Sequence, residues 1–358
     1  DWTNHNQENY QKETVKVATK FTFPGRKHKY SDFEWNWTDF DGIDYNNQTG
    51  ENAIFKFVNK KWGEEVDDEY GNYDYLMGAD LDFSNPRVVK ECTDWGKWYL
   101  NFTKVDGFRL DAVKHIDANF YRDWIKELRN ETKKELFAVG EYWSTDVNKL
   151  HKYITETNGN ISLFDVPLHY NFYNASRDEN YDMSKILEHT LVKENPCKAV
   201  TFVDNHDTQP GQALQSFVEN WFKPIAYSII LLRNDGYPCV FYGDYYGIPH
   251  DDIKPMNDLK TLIQIRKEKS YGMQHDYLDN NNYIGWTQEG DEEHIKSGIA
   301  VVISTAGDGY KRMYVGNQNV GEIYIDALGN CQEEITIEED GCANFNVKEK
   351  SVSIWVKK

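Results

Sequence analysis

The sequence predicts an α/β protein built around parallel βα units, with a β-rich segment ahead of them and an antiparallel β segment behind. Three observations carry that expectation. From about residue 86 to 265, short apolar runs alternate with amphipathic stretches of helical period. Residues 1 to about 85 have little helical period and are rich in Trp, Tyr, Asn, Asp and Gly. From about 266 to 358, strand-like alternation returns between Gly, Asn and Asp turns.

In order, VKVATKFTF (15–23) reads as an extended alternation in the leading segment. Strands in the middle segment are expected near 105–109, 136–140, 161–166, 199–204 and 238–243. Asp117 is placed to cap a helix carrying Phe120, Trp124 and Leu128 on one stripe. Thr145 opens another with Val147, Leu150 and Ile154, and Met183 to Val192 reads as a third. GIAVVIS (298–304), RMYVG (312–316) and SVSIWV (351–356) read as strands of an antiparallel sandwich.

Composition narrows the function classes. No run of 18 apolar residues occurs, which rules out a helical membrane span of the usual kind. A net charge of -19 repels phosphate backbones, so nucleic acid is not an expected partner. A neutral polymer suits the chain better: 11 Trp and 24 Tyr offer flat faces for sugar rings, although most serve as core. The five cysteines are odd in number and lack CxxC spacing, against a zinc site or disulfide framework; Cys331 and Cys342 either pair or stay free.

Chemistry concentrates at three strand ends. In VDGFRLDAVKHI (105–116), Arg109 and Asp111 project from one face of an extended segment, and taken alone they read as a structural ion pair. LFAVGEYW (136–143) ends an apolar run on Glu141, and KAVTFVDNHD (198–207) ends one on Asp204 to Asp207. Carboxylates at the C-terminal ends of neighbouring parallel strands lie where α/β proteins do chemistry. Retaining glycoside hydrolysis needs such a set.

FRLDAVKH, GEYW and FVDNHD resemble three of the four signature regions of the α-amylase family, glycoside hydrolase family 13. FTFPGR (21–26), GNYDYLMGADLD (71–82), DVPLHYNF (165–172), DTQPGQ (207–212), FYGDYYG (241–247) and KRMYVGNQN (311–319) extend the likeness to the liquefying bacterial type. The resemblance implies a (β/α)8 TIM barrel, with residues 1–85 a partial, calcium-binding B domain. It makes 86–265 the C-terminal part of the barrel and 266–358 a β-sandwich C domain. Five strands are read where eight are needed, so the first strands and the first signature region are expected to lie outside the chain; Asp1, Asn4 and His5 match that region only superficially. A longer gene product would then be active, and this chain alone unstable, inactive or merely glucan-binding.

By the same resemblance Asp111 is the nucleophile, Glu141 the general acid/base and Asp207 the carboxylate that holds the sugar in the transition state. Arg109 and His206 support them, Lys114 and His115 contact the leaving-group side, and Tyr73 and Trp143 are stacking platforms. Asp74, Asp80 and the His115 carbonyl are the implied ligands of a structural calcium. Asp41 and Asp82 match a neighbouring sodium or second calcium position, where Gly63 stands in place of a frequent aspartate. On the residues alone, these acidic positions read equally as a solvated loop. A further metal position near His275 and Asp276 has Thr305 where an acidic partner is expected.

The implied activity is internal, retaining cleavage of α-1,4-glucosidic bonds in starch or glycogen through a covalent intermediate on Asp111. A maltooligosaccharide-forming or transglycosylating relative is the alternative. A monomer is expected, outside the cell, with the cytoplasm as the other possibility.

Overall fold

The computed structural model describes residues 14–63, 66–70 and 74–358. The chain forms two compact units, one from the residues up to Trp143 together with His151–Leu163, the other from Ser144–Leu150 and Phe164–Lys358.

In the first unit, β1 (Phe40–Asn46) lies between β2 (Glu51–Lys56) and β3 (Ala79–Leu81) in an antiparallel sheet. The alternation at 15–23 does not become a strand; within it only Phe21 pairs, in a single bridge to Trp35. Phe23 adopts left-handed backbone, φ 44°, just before Pro24 opens a 3-10 turn. Neither residue can continue an extended ladder. Asn36 and Asp39 form a reciprocal capping box. The fully buried Asp39 also accepts from Arg87 Nη1 at 2.6 and 2.7 Å, tying this segment to α1 (Pro86–Thr103).

After α1 the chain alternates β4 (Gly107–Leu110), α2 (Ala118–Thr132), β5 (Phe137–Gly140), α3 (Val147–Glu156) and β6 (Ser162–Phe164), with β4, β5 and β6 parallel. Asp117 caps α2 as expected, accepting from Asn119 N–H, and Trp124, Ile125 and Leu128 are buried. The start of α3 differs from expectation. Asp146 caps it by accepting from Asn148 N–H at 2.9 Å, because a carboxylate next to the first turn outcompetes Thr145 one residue earlier. Between α1 and α2 the approach is close: a Cβ on Gly96 would stand 2.7 Å from the Trp124 ring.

The second unit continues with α4 (Val166–Arg177), α5 (Leu191–Glu194), β7 (Ala199–Phe202), α6 (Lys223–Leu232), β8 (Tyr237–Cys239), α7 (Tyr242–Tyr246) and α8 (Leu259–Glu268). β7 and β8 are parallel. The fully buried Asp165 caps α4 through Leu168 N–H and also accepts from Leu191 and Val192 N–H at 3.1 and 2.7 Å, so one carboxylate sets two helix starts. That cap and Pro167 end the strand expected over 161–166 at Phe164. The single helix expected over 183–192 is a 3-10 turn at Met183–Lys185 followed by α5. His189, at φ 57°, breaks the run.

The rest is antiparallel: β9 (Gln274–Tyr277), β10 (Tyr283–Gln288), β11 (Ile299–Ser304), β12 (Gly309–Tyr314), β13 (Ile323–Asp326), β14 (Ile335–Thr336), β15 (Cys342–Val347) and β16 (Ser351–Lys357). Six strands form a sheet of order β14-β13-β16-β11-β10-β9, and β12 pairs with β15. Val302, Met313, Tyr324, Phe345 and Trp355 share their core. Trp286 Nε1 donates to the carbonyl of Leu232 at 2.9 Å, satisfying an orphan acceptor at the end of α6. Cys331 and Cys342 do not pair with each other; both are thiols.

Gly96 yields a test against helix propensity. Gly→Ala in an open helix stabilises by about 1 kcal/mol, but G96A must push the Trp124 ring, and overpacking costs about 1–3 kcal/mol. Urea unfolding should find G96A less stable than wild type.

Candidate active site

The first unit brings Arg109, Asp111 and Glu141 together. In the β4–β5 register Leu110 lies beside Gly140, and Glu141 N–H donates to the Leu110 carbonyl at 2.9 Å. The next residue on each strand is therefore a carboxylate. Arg109 Nη1 donates to Asp111 Oδ1 at 2.5 Å, and Nη2 reaches Glu141 Oε2. Two such bonds plus the width of the guanidinium fork keep the two accepting oxygens within about 7 Å. Their surroundings differ: the Asp111 side chain is 74% exposed and that of Glu141 9%. Behind Asp111, Ala112 takes left-handed backbone, φ 45°, and turns the chain into the 3-10 turn Val113–His115. Such a conformation costs a non-glycine residue about 1–2 kcal/mol.

That turn carries the expected leaving-side groups. Lys114 Nζ bonds Glu69 at 2.5 Å and the Trp143 carbonyl at 3.2 Å, and Trp143 is half-buried. Burial, then the neighbouring Lys114 charge, lower the His115 pKa. Tyr73 lies outside the described residues, as do Asp1, Asn4 and His5.

The acidic positions regroup relative to expectation. Asp41, Asp74 and Asp80 each offer a carboxylate oxygen within 4.8 Å of the others. A register shift between Phe40 and Gly42 in the β1–β3 pairing marks the point where Asp41 joins Asp80. Asp41 Oδ1, Asp74 Oδ1 and Asp80 Oδ2 are buried, with no hydrogen-bond partner among the described residues. Burial first, and the neighbouring carboxylates with it, push Asp41 up to about 7, Asp74 to about 6 and Asp80 to about 8. Asp82, whose charge contributes to these upward shifts, is itself held the other way: against the effect of burial, bonds from Lys60 and Ser84 keep its carboxyl below the ordinary value. The more distant position is engaged otherwise. Asp276 is clamped by Arg233 at 2.7 and 2.9 Å, and His275 bonds Glu289 at 2.7 Å.

In the second unit, His206 and Asp207 sit on the loop after β7. Asn205 Oδ1 accepts from Asp207 and Thr208 N–H at 2.8 and 2.9 Å, an Asx turn that fixes the backbone of Asp207. His206 is exposed, with Nε2 3.3 Å from Asp207 Oδ2.

Comparison with known proteins decides the family. The family described as alpha amylase, catalytic domain, matches residues 2–300, and the alpha-amylase C-terminal family matches 299–356. The chain belongs to the α-amylase family. It is 53% identical to an α-amylase of Geobacillus stearothermophilus over 96% of this chain and 63% of that one. It is 50% identical to a glucan 1,4-α-maltohexaosidase of Bacillus sp. (strain 707), over 99% and 70%. To the cytoplasmic α-amylase of Escherichia coli (strain K12) the identity is 44%, over 94% and 71%. The chain thus spans a little under two thirds of the Geobacillus relative's length. Among solved structures, an Anoxybacillus α-amylase superposes with TM-score 0.61 at 20% identity, covering 78% of this chain and 65% of that one. The fold is that of the α-amylases: the parallel strands are of TIM-barrel type, and an antiparallel C domain follows them.

Sequence reasoning overlooked His169 in this α-amylase family member. It is fully buried and stacks on Phe202 at 5.2 Å; Nδ1 donates to the Val203 carbonyl at 2.6 Å, and Nε2 faces Ser216 Oγ at 2.8 Å. A lone histidine among apolar neighbours gives no sequence signal beyond its place in DVPLHYNF. Burial lowers its pKa from 6.5 to about 4. Between those values the unfolded chain binds the extra proton and the folded one does not. Stability fully present above pH 6.5 is therefore lost as pH falls toward 4, by roughly 3 kcal/mol from this group. Denaturant titrations at pH 7, 5.5 and 4.5 should show a shallower acid decline for H169Q than for wild type.

Proposed function

We propose that this protein hydrolyses internal α-1,4-glucosidic bonds of starch or glycogen with retention of configuration. The observation that carries the reading is one guanidinium, Arg109, bonded to Asp111 and Glu141 at the ends of two paired parallel strands. Identity of 53% and 50% to relatives named as α-amylases supports it.

One carboxyl is dry and the other wet, the usual way for a site to hold an acid beside a base. Asp111, solvated and paired with Arg109, attacks the anomeric carbon. Glu141 gives its proton to the departing glycosidic oxygen, then takes one from the water that frees the sugar from Asp111. To do so it must part from Arg109, whose second carboxylate partner keeps the guanidinium in place. Asp207 and His206 bond sugar hydroxyls more strongly in the oxocarbenium-like state than in the ground state, which is where a rate gain arises. Lys114, His115, Trp143 and Tyr73 are assigned to neighbouring sugar units.

Calcium is the proposed resident ion, held by Asp41, Asp74 and Asp80 with the His115 carbonyl. Three buried carboxylate oxygens that find no donor among the described residues are a hard-cation donor set, so the residues fit the ion. When bound it would neutralise this wall and serve structure; the bond-breaking steps belong to Asp111 and Glu141. Asp82, with its Lys60 partner, is kept as a neighbouring acidic position for a sodium or second calcium. The location proposed is extracellular, with the cytoplasm, which the Escherichia coli relative's name carries, as the alternative.

A second reading is favoured by the 50% identity to a named maltohexaosidase: release of one defined maltooligosaccharide. Product chromatography on soluble starch separates the two by product spread, and mainly cyclic or elongated products would count against both. E141Q should lower kcat by roughly 10²–10⁴-fold, and proton NMR of the first-formed product should show the α-anomer. A β-anomer, or an unaffected E141Q, removes the mechanism. Chelation should lower Tm by roughly 5–10 °C, with readdition of calcium restoring wild type but not D80N; an unchanged Tm would discard the ion.

A further inference from the structure

Behind the loop of His206 and Asp207 lies a cluster of charge shut off from solvent. Asp204, Lys223 and Asp244 are only 2, 3 and 2% exposed. The Lys223 ammonium has three protons and three takers: Asp204 Oδ2 at 3.0 Å, Asp244 Oδ1, and the Phe217 ring, whose centroid is 3.5 Å from Nζ. Tyr227 donates its hydroxyl to the other oxygen of Asp244 at 2.6 Å.

The constraint then runs forward through Asp204. Its Oδ1 accepts from Thr208 Oγ1 at 2.9 Å, and the same hydroxyl oxygen accepts from Asn205 N–H at 2.9 Å. Asn205 in turn holds the Asp207 and Thr208 amides. Thr208 itself is fully buried, and its carbonyl accepts from Ser216 N–H at 3.0 Å. From Asp204 forward, each link is a hydrogen bond of ordinary length, 2.8–3.0 Å. Burying two carboxylates and an ammonium is costly compared with packing apolar side chains of the same volume. The cluster stabilises little by itself, yet it sets the geometry of a turn that an apolar core would leave free.

We propose that the buried Asp204–Lys223–Asp244 cluster positions Asp207 for catalysis, acting through Thr208 and Asn205. The proposal rests on Asp207 being the carboxylate that engages sugar hydroxyls in the transition state. Asp204, Lys223, Asp244, Asn205 and Thr208 are positioning residues; none of them is assigned a contact with the reacting atoms.

T208V keeps the shape of the side chain and removes the hydroxyl link, T208S keeps the hydroxyl, and D244N keeps the shape of Asp244 while removing its charge. Two measurements follow: kcat and KM on soluble starch, and hydrogen exchange of the 204–209 amides against those of α6. T208V should lose about 10- to 100-fold in kcat with KM within about twofold, because the interaction being aimed grows only in the transition state. T208S should stay within about twofold of wild type. Exchange at Asn205, Asp207 and Thr208 should rise at least about tenfold in T208V, and rise in D244N, while α6 keeps its protection. Wild-type kcat and loop exchange in T208V overturn the proposal. So does a T208S variant as impaired as T208V, or a D244N variant with unchanged loop exchange. D207N separates this idea from the one beneath it: wild-type activity in D207N would sink the role of Asp207 alone, while loop exchange still decides whether the cluster orders the turn.

Discussion

The pairing of β4 with β5 is the constraint on which the site depends. Side chains alternate along a strand, so slipping the register by one residue would turn one of the two carboxylates away from the other. Leu110 beside Gly140 prevents this, and the Glu141 amide on the Leu110 carbonyl extends the match by one position. Arg109 then needs no long reach. It stands two residues before Asp111, on the same side of its own strand, and spans the gap to the neighbouring one.

A strongly acidic chain must decide where its negative charge is allowed to be dry. Four solutions occur. Asp39 is met by Arg87, Asp165 by three backbone amides, Asp204 and Asp244 by a shared lysine, and Asp82 by Lys60. Asp41, Asp74 and Asp80 are left short by comparison: each keeps one buried oxygen without a hydrogen-bond partner among the described residues. Their burial is incompatible with three full negative charges unless a cation or protons join them. The contrast between compensated and uncompensated carboxylates distinguishes a scaffold from a binding site better than the count of acidic residues does.

Much of this was legible in the primary sequence. FRLDAVKH and GEYW announced Asp111 and Glu141 because apolar runs ending in polar groups mark strand exits, and Asp117 was a readable cap. The regrouping of Asp41 with Asp74 and Asp80 was not readable, since it turns on a register shift in the β1–β3 pairing. Nor was α6, which is buried on every side and so shows no amphipathic period. No local pattern around Lys223 marks its ammonium as buried; its partner Asp244 lies 21 residues further along the chain. Local chemistry could be read forward, while long-range pairing of charges had to be seen.

Gly63 draws a boundary around the acidic wall. Its amide donates to Asp74, and any Cβ at that position would collide with the Asp74 carboxylate. A descendant that acquired an aspartate at 63 would have to swing Asp74 aside before the newcomer fitted. A side chain at 63 and the Asp74 carboxylate thus compete for one space, a limit set by a single methylene rather than by the count of acids.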